Sequence, residues 1–481
     1  MHASKQFLFL HSSYSSIVPM PTRRLRRLRR APAGHAYREL VTDELLESCL
    51  RELCSPEDFE ELELLSRSYY DVEIHIRDFL KADFSEQPYP KPNDWSRAEA
   101  ATASQLRKFG TTSLSFRAST YGFHHVKWKR GTSAGHGFVN DDGSFKKKGD
   151  PGVFQQACRM ANAAFHEWRE SSSDPLRWRN SRGPLDASFF RTQLSYFLTE
   201  AKVRHVFGRP FHLLLIELLF MDPLCEKFLG KPYSPFAAGL NLSQQMLLLS
   251  QLVGRDLSWC TGDWKSFDRT TLSWEIRSAL NQIRSLLTFP DDQTRQAWDF
   301  VCFCFIHGRC VGPDGYEYAT YGIVPSGSAL TWLVDSITNL NRWNYILLHV
   351  GVRLIFPSKV LGDDFVGLLD YSVTEQDVRN AASVFATHFK FLVIGRTYDS
   401  LVFLGHQNKG GLLYRGWLEV LALACRPEFR RTPLASCQAA FALYNDSGCA
   451  HLALLRAYKL LQRRFQLSLN FESLPDYAGL Y

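Results

Sequence analysis

Hydrophobic and polar residues follow one another along the chain with periods that predict both helices and strands. Residues 39–80 interleave acidic and apolar positions at helical spacing, and Val153 to Glu170 repeats this pattern. The segment from Ala201 to Pro210 alternates with a period of two, which is typical of an extended strand. Beyond Pro433 the pattern is again mainly helical. Helical segments are therefore predicted at both ends of the chain.

The central region alternates strand and helix patterns. The predicted elements are, in order, a buried strand over 257–262, a helix over 271–287, a hairpin that opens with a strand over 301–311, a long helix over 329–348, strands over 358–361 and 365–369, a helix over 374–388, and strands over 391–394 and 401–404. Strands that alternate with helices and include antiparallel hairpins predict an α+β core with helical lobes outside it.

Two segments read as connections rather than as regular elements. Pro88, Pro90 and Pro92 predict a linker. Residues 100–150 are rich in Gly, Ser, Thr and basic residues and end in a run of lysines, Lys146 to Lys148. Such low hydrophobicity predicts exposed loops.

The composition is that of a globular protein with room for two or three lobes. The 481 residues are 45% hydrophobic and 22% charged, which argues against disorder of the whole chain. The net charge of +7 permits a polyanionic partner. The apolar run from Phe211 to Met221 is short and interrupted, so no membrane partner is expected.

The amino-terminal arm is basic. Its first 38 residues contain no Asp or Glu and carry six arginines between Arg23 and Arg30. A solvated arm that touches RNA phosphates, a transit peptide and a charged tail without a partner all remain open.

Eleven cysteines without a regular spacing indicate a reduced intracellular protein. Cys302, Cys304, His307 and Cys310 are residue types that bind zinc. The strand-like alternation of 301–311, followed by a Gly-Pro-Asp-Gly turn, favours a plain hairpin with buried thiols over a zinc site.

Acidic residues in the central region provide the candidate chemistry. Asp363 and Asp364 occupy a turn between two apolar strands, and Asp263 ends a separate buried strand. Adjacent carboxylates repel each other unless a cation lies between them, and Mg²⁺ prefers oxygen ligands. If the strands are neighbours in one sheet, the three carboxylates can hold two metal ions roughly 4 Å apart.

Each of these motifs is weak alone, because an exposed acidic turn or a strand end before a capped helix would explain it. Their order along the chain is informative. The alternating strand carries Lys202 and Arg204 on one face, and Asp263, a Pro-Ser-Gly helix start at Pro325 and the Gly-Asp-Asp hairpin follow it.

In this order the motifs resemble those of the RNA-dependent RNA polymerases of double-stranded RNA viruses, most closely the partitiviruses. The matching segments are Thr132–Gly135 (motif G), Lys202–Arg204 with Gly208 and Pro210 (F), Asp263–Asp268 (A), Gly322–Ser328 with Thr331, Asp335, Ser336 and Asn339 (B), Val360–Asp364 (C) and Phe403–Gly405 (E). The resemblance implies a right-hand fold with fingers, palm and thumb, and a palm made of an antiparallel sheet flanked by helices.

The resemblance also implies the site. Asp263 and Asp363 are expected to be the main ligands of Mg²⁺, or of Mn²⁺ in its place, with Asp364 assisting. The expected nucleotide-binding residues are Lys202, Arg204, Asp268, Ser326, Gly327, Thr331, Asp335 and Asn339. The expected contacts to template RNA are Ser133, Gly135, Lys146, Lys147 and Lys148.

Domain boundaries and partners follow from the same resemblance. The expected division is an arm and helical extension over 1–95, fingers over 96–256, palm over 257–288, a fingers insertion or hairpin over 289–321, palm over 322–405 and thumb over 406–481. The expected partners are template and product RNA, ribonucleoside triphosphates and a viral capsid protein, in the virion interior or the host cytoplasm.

Several alternatives stay open on the sequence. Asp335 or Asn339 completes the sugar contacts, and Lys390 or Arg396 is the general acid. Ser326 either belongs with Gly327 to a flexible helix-start loop that shifts with the template, or caps the helix. A reverse transcriptase shares the palm chemistry but usually carries an aromatic residue where this chain has Asp268. A non-catalytic RNA-binding or capsid-associated protein that retained the fold would use the basic segments equally well.

Overall fold

The structure is a computed structural model of the chain. It describes residues 22–27, 41–67, 70–80, 90–114, 120–196, 199, 202–253, 257–385, 387–396, 401–409 and 412–467. The helices of these residues are α1 Glu44–Arg51, α2 Glu57–Glu63, α3 Val72–Leu80, α4 Pro92–Arg107, α5 Thr120–Phe123, α6 Val153–Glu170, α7 Pro175–Ser181, α8 Phe211–Phe228, α9 Leu242–Val253, α10 Phe267–Thr270, α11 Ser273–Ser285, α12 Asp292–Ile306, α13 Thr331–His349, α14 Glu375–Ala382, α15 Trp417–Cys425, α16 Pro433–Asp446 and α17 Leu452–Arg464.

The strands are mostly short. They are β1 Thr22–Arg27, β2 Leu65–Arg67, β3 Thr112–Ser113, β4 Ala187–Thr192, β5 Leu194–Tyr196, β6 Val203–Gly208, β7 Ser258–Trp264, β8 Leu287–Thr288, β9 Arg309–Val311, β10 Tyr316–Thr320, β11 Leu354–Leu361, β12 Asp364–Leu369, β13 Phe389–Gly395, β14 Val402–Phe403, β15 His406–Lys409 and β16 Leu412–Tyr414.

A four-stranded antiparallel sheet in the order β11–β12–β7–β13 lies at the centre of the molecule. Helix α13 packs against this sheet, and Trp343 of that helix stacks on Phe365 of β12 with ring centroids 4.0 Å apart. Both faces of β7 are buried, as predicted for the strand over 257–262. The predicted central strands and the long helix thus form one α+β layer.

A second hydrophobic core joins the two ends of the chain. Leu46 and Leu50 of α1 pack with Val420 and Leu421 of α15 and with Leu461 of α17. The intervening strand β2 pairs with β5, and α3 packs on β6. The segment from 41 to 80 therefore contacts the carboxy-terminal helices at one end and the β4–β6 region at the other.

The predicted strand over 301–311 is wrong in its first half. Residues up to Ile306 belong to α12, and only Arg309–Val311 forms a strand, which pairs with β10. The helix is buried on nearly all sides, so its apolar residues show no helical stripe. Cys302 and Cys304 are buried in it, and burial raises the pKa of both thiols.

Other predicted boundaries also shift. The helix expected over 374–388 ends at Ala382, Pro92 is the first residue of α4 rather than part of a linker, and residues up to Arg107 are helical rather than loop. Proline suits a first helical position because that N–H has no intrahelical partner.

The basic arm includes a strand. Residues Thr22–Arg27 form β1, which pairs with β10 at the edge of a three-stranded sheet. Arg24 forms an ion pair with Asp314 at 2.9 Å, and Arg26 forms one with Glu317 at 3.0 Å. These two arginines are thus bound to acidic residues of the protein. The parts of the arm on either side of β1, including Arg29 and Arg30, lie outside the described residues.

None of the helices in the described ranges is long and apolar enough to cross a bilayer.

Candidate active site

Three carboxylates meet at one end of the central sheet. Asp263 lies near the end of β7 and Asp364 begins β12, and the two residues are direct partners in the antiparallel register. Asp363 precedes Asp364 in the turn between β11 and β12, where Gly362 has a φ of 59°. Because a positive φ strains residues that have a side chain, glycine suits this turn.

Asp363 and Asp364 have raised pKa values. Burial is the largest cause, and it raises the pKa of Asp363 and of Asp364 to about 7. The charge of Asp364 and then that of Asp263 act in the same direction on the pKa of Asp363. Like charges held together in a partly buried site are unfavourable without a cation between them, so this end of the sheet attracts cations.

The donor chemistry fits magnesium, although the side chains are not arranged as a finished ligand set. Carboxylate oxygens are the donors that Mg²⁺ prefers. Within the described part of the chain, no three His, Cys, Asp or Glu side chains form a ready metal-binding group. The Asp263 carboxylate is instead held by Lys390, whose Nζ lies 2.8 Å from Oδ2. Lys390 therefore occupies one of the two carboxylate oxygens of Asp263.

Lys390 reaches Asp263 because β13 is irregular at this position. The register between β13 and β7 shifts between Phe389 and Phe391, so Lys390 is the extra residue of a bulge. Bulges redirect side chains and are frequent beside active sites. The pKa of Lys390 is raised, first by its hydrogen bond to Asp263 and also by the charge of that carboxylate.

Arg396 lies at the other end of β13, beyond Gly395. Its guanidinium donates to Ser372 Oγ at 2.6 Å and to Ser258 Oγ at 3.4 Å, and Ser258 is the first residue of β7. Of the two basic residues that the sequence offered, only Lys390 lies at the carboxylates.

Asp335 is a buried acid behind these carboxylates. Its side chain is 3% exposed, and its Oδ1 has no hydrogen-bond partner among the described residues. Burial raises the pKa of Asp335 well above its usual range, and the charges of Asp268 and Asp363 add to the shift. Asp335 therefore lies within electrostatic reach of Asp268.

Asn339 has a different environment, one helical turn further along α13. Its Nδ2 donates to the backbone oxygens of Gly362 at 2.9 Å and Asp364 at 3.1 Å. Its Oδ1 accepts a hydrogen bond of 2.8 Å from Trp264 Nε1. All of its amide groups hold the carboxylate turn and the end of β7, so Asn339 positions the acidic residues.

The loop before α13 contacts strand β6. Ser326 Oγ accepts a 3.1 Å hydrogen bond from the backbone N–H of Phe207. A Cβ on Gly327 would lie 2.1 Å from the Phe207 oxygen, so only glycine allows this approach. Thr331 Oγ1 donates to the Pro325 oxygen at 2.6 Å. Since α13 begins at Thr331, the interpretation of Ser326 as a helix cap is wrong.

The basic strand lies beside the acidic residues. Lys202 precedes β6, and Arg204 is exposed on it. Burial raises the pKa of Asp268, and the positive charges of Arg269 and Arg204 oppose this shift. The structure thus brings Arg204 and Asp268 into one electrostatic environment.

The candidate template loop is a small hairpin. Ser133 forms a bridge with Lys147, and the N–H of Ala134 donates to the Lys146 oxygen at 2.8 Å. Gly135 has a φ of 76°, and its N–H donates to Ser133 Oγ at 3.1 Å. These contacts set the loop's shape without using the Lys147 side chain, which is exposed.

Lys148 differs from its two neighbours because it is partly buried. Its Nζ lies 5.7 Å from the ring centroid of Phe211, within cation–π range. Desolvation lowers its pKa to about 8. This lysine packs against α8, and it is a less accessible phosphate contact than Lys147.

The sequence interpretation missed a buried ion pair under the site. Arg342 of α13 and Glu275 of α11 pair through two contacts, Nε to Oε1 at 2.6 Å and Nη2 to Oε2 at 2.7 Å. The guanidinium also lies 5.1 Å from the Trp264 ring and 4.7 Å from the Phe267 ring. It links the segment carrying Asp263 to α13. An arginine on the buried face of a predicted helix was the available signal.

Comparisons with known proteins give a family for the chain and solved structures of similar fold. The family model described as "Viral RNA-dependent RNA polymerase" matches residues 59–451. A crystal structure of the RNA-dependent RNA polymerase of a human picorbirnavirus superposes with a TM-score of 0.64 at 14% identity, covering 89% of this chain and 85% of that one. Its insertion loop deletion mutant gives 0.62 at 14% identity, with 91% and 87% covered. No curated protein matches the sequence.

The likeness to the solved polymerases carries the right-hand α+β fold, and the family match extends over most of the chain. The chain belongs to the viral RNA-dependent RNA polymerase family and is an RNA-directed RNA polymerase.

Proposed function

We propose that the enzyme extends an RNA 3′-hydroxyl at a two-magnesium site formed by Asp263 and Asp363, with Asp364 assisting and Mn²⁺ able to replace Mg²⁺. The observation that carries this proposal is the register pairing of Asp263 with Asp364 beside Asp363. When bound, the ions activate the attacking hydroxyl and stabilise the departing pyrophosphate.

The protein's own groups bind and orient the nucleotide. Lys202 and Arg204 bind the triphosphate, for which the guanidinium fork is well suited. Asp268 and Asp335 contact the ribose, and Asp335 is favoured over Asn339 because the Asn339 amide is fully engaged. Lys390 is favoured over Arg396 as the general acid, because it already contacts Asp263.

The ribose contacts distinguish an RNA polymerase from a reverse transcriptase. A carboxylate at Asp268 can accept a hydrogen bond from a 2′-hydroxyl, whereas a bulky aromatic residue there would exclude it. We expect ribonucleotides to be incorporated in strong preference to deoxyribonucleotides.

The proposal also covers the template contacts, the domains and the biological setting. Ser133, Gly135 and Lys146–Lys148 guide the template strand, with Lys147 the most exposed of the lysines. The proposed domains begin with an extension over 1–95. It is followed by fingers over 96–256, palm over 257–288 and 322–405, an insertion over 289–321 and a thumb over 406–481. The enzyme serves a partitivirus-like double-stranded RNA virus, beside a capsid protein, in the virion interior or host cytoplasm.

Incorporation of labelled ribonucleotide on single-stranded RNA with Mg²⁺ tests the proposal. Asp363→Ala is expected to lower the rate by at least about a thousandfold, because it removes a group on which the reacting charge depends. Asp292→Ala is the matched control, since that side chain is 85% exposed on α12. Salt-sensitive RNA binding without incorporation by the wild-type chain would instead favour the non-catalytic alternative.

A further inference from the structure

Helix α3 of the amino-terminal segment lies directly across the nucleotide-binding strand β6. His75, Asp78 and Phe79 share one face of this helix, since they are three and four residues apart. His75 Nε2 lies 3.0 Å from His205 Nδ1, and the Phe79 ring centroid lies 4.7 Å from that of His205. This face of α3 thus packs against His205, the residue that follows Arg204.

Asp78 contacts β6 and α10 from this face. Its Oδ2 accepts a 2.7 Å hydrogen bond from the backbone N–H of His205. The same oxygen lies 3.8 Å from Nη2 of Arg269. Asp78 therefore connects the strand that carries Arg204 to the helix that carries Asp268 and Arg269.

Arg269 has two carboxylates within its electrostatic reach. It is 9% exposed, and its guanidinium lies 5.2 Å from the Phe207 ring centroid. Asp78 and then Asp268 are the charges that raise the pKa of Arg269, against the larger effect of desolvation. A buried guanidinium needs an anionic partner, so losing one carboxylate shifts it toward the other.

We propose that Asp78 is a positioning residue that satisfies Arg269 and so leaves Asp268 available to the ribose of the incoming nucleotide. The inference rests on the proposed role of Asp268 in sensing the 2′-hydroxyl. Asp78 also fixes the position of β6 through its hydrogen bond with the His205 N–H, and this determines the position of the neighbouring Arg204.

The test is the ratio of kcat/KM for a ribonucleotide to that for the matching deoxyribonucleotide, measured with the full chain. Asp78→Asn keeps an oxygen for the His205 N–H but removes the charge. We expect the ratio to fall on the order of tenfold, the cost of weakening one hydrogen bond to a charged group. Glu73→Gln removes a carboxylate from the exposed part of α3 and should leave the ratio unchanged.

A double variant separates positioning from general damage. Asp78→Asn with Arg269→Gln removes both charges, so no guanidinium competes with the ribose for Asp268. The ribonucleotide to deoxyribonucleotide ratio of kcat/KM should therefore return toward the wild-type value. This variant buries no unpaired arginine, and it remains informative if Asp78→Asn alone does not fold. The proposal is overturned if Asp78→Asn folds and keeps the wild-type ratio. It is also overturned if Asp78→Asn folds and the double variant is no more selective than it. If only the double variant folds, a ratio below that of Glu73→Gln overturns the proposal.

Asp268→Ala distinguishes this inference from the function on which it rests. If Asp268→Ala leaves the ratio unchanged, the proposed role of Asp268 is wrong and the inference falls with it. If Asp268→Ala lowers the ratio and Asp78→Asn does not, the role of Asp268 stands and only the inference fails.

Discussion

The Asp363 and Asp364 carboxyls hold their protons more tightly than ordinary aspartates, because they are buried and lie beside other acids. A carboxyl whose pKa is about 7 in the folded protein and 3.8 in an unfolded chain takes up a proton on folding between these pH values. Folding stability contributed by this group therefore falls as the pH rises from about 4 to about 7 and stays low above it.

Asp363→Asn should relieve this repulsion. Without divalent ions, we expect the variant to be more stable than the wild type by about 2 kcal/mol at pH 8 and equally stable at pH 4. Urea unfolding at both pH values in a chelator measures the difference. Asp292→Asn should have the stability of the wild type at both pH values. If Asp363→Asn differs from the wild type by the same free energy of unfolding at pH 4 and pH 8, the raised pKa of Asp363 is contradicted.

The two basic residues of β13 offer a second comparison at this scale. Lys390→Ala removes the cation that holds Asp263 and should lower the incorporation rate by about a hundredfold. Arg396→Ala removes a residue of similar charge that contacts Ser372 and Ser258 at the far end of the strand. Its rate should stay within about twofold of the wild type. Equal losses in both variants would place the effect in the strand rather than at the site.

Among the elements, the contact between the loop before α13 and β6 depends on the missing side chain of Gly327. Gly327→Ala places a methyl group against the Phe207 oxygen, so the loop must move away from the strand. We expect a loss of about 1–3 kcal/mol in stability and at least about a tenfold loss in incorporation. Gly416→Ala, which adds a methyl group into open space, is the control, and comparable losses there would contradict the contact.

How far the sequence predicts these elements depends on whether their signal is local. The apolar strands around Asp363 and the long helix α13 have clear boundaries, and both form as expected. Helix α12 was misread because its second half is buried on all sides and the residues there alternate in size. Strand β1 exists through its pairing with β10, a partner about three hundred residues away that no local pattern reveals. The bulge that aims Lys390 is likewise a property of two strands.

In the whole molecule, Asp43 ties the amino-terminal segment to the carboxy-terminal helices. Its carboxylate accepts hydrogen bonds from Leu46 N at 3.1 Å, from Ser436 Oγ at 2.9 Å and from Arg431 Nη1 at 3.2 Å. The residue is 5% exposed, so the Leu46 N–H and the Ser436 hydroxyl lose this acceptor when the carboxylate is removed, and Arg431 loses a charged partner while keeping the Ala424 oxygen.

Asp43→Ala should therefore lower the free energy of unfolding by about 3 kcal/mol, as expected for a buried charge pair that loses one member. Chemical denaturation measures the loss. Glu44→Ala, one residue further and exposed, should change stability by less than about 0.5 kcal/mol. A similar loss in the control would show that the effect belongs to the helix start and not to the connection.

The shared core of the two chain ends has a consequence during synthesis. Leu46 and Leu50 leave the ribosome long before the residues from Val420 to Leu461 that cover them. Domains usually fold in the order in which they are translated, but here α1 meets this part of its core only after α15 to α17 have been made. The nascent polymerase thus carries an uncovered apolar face on α1 until those helices have been translated.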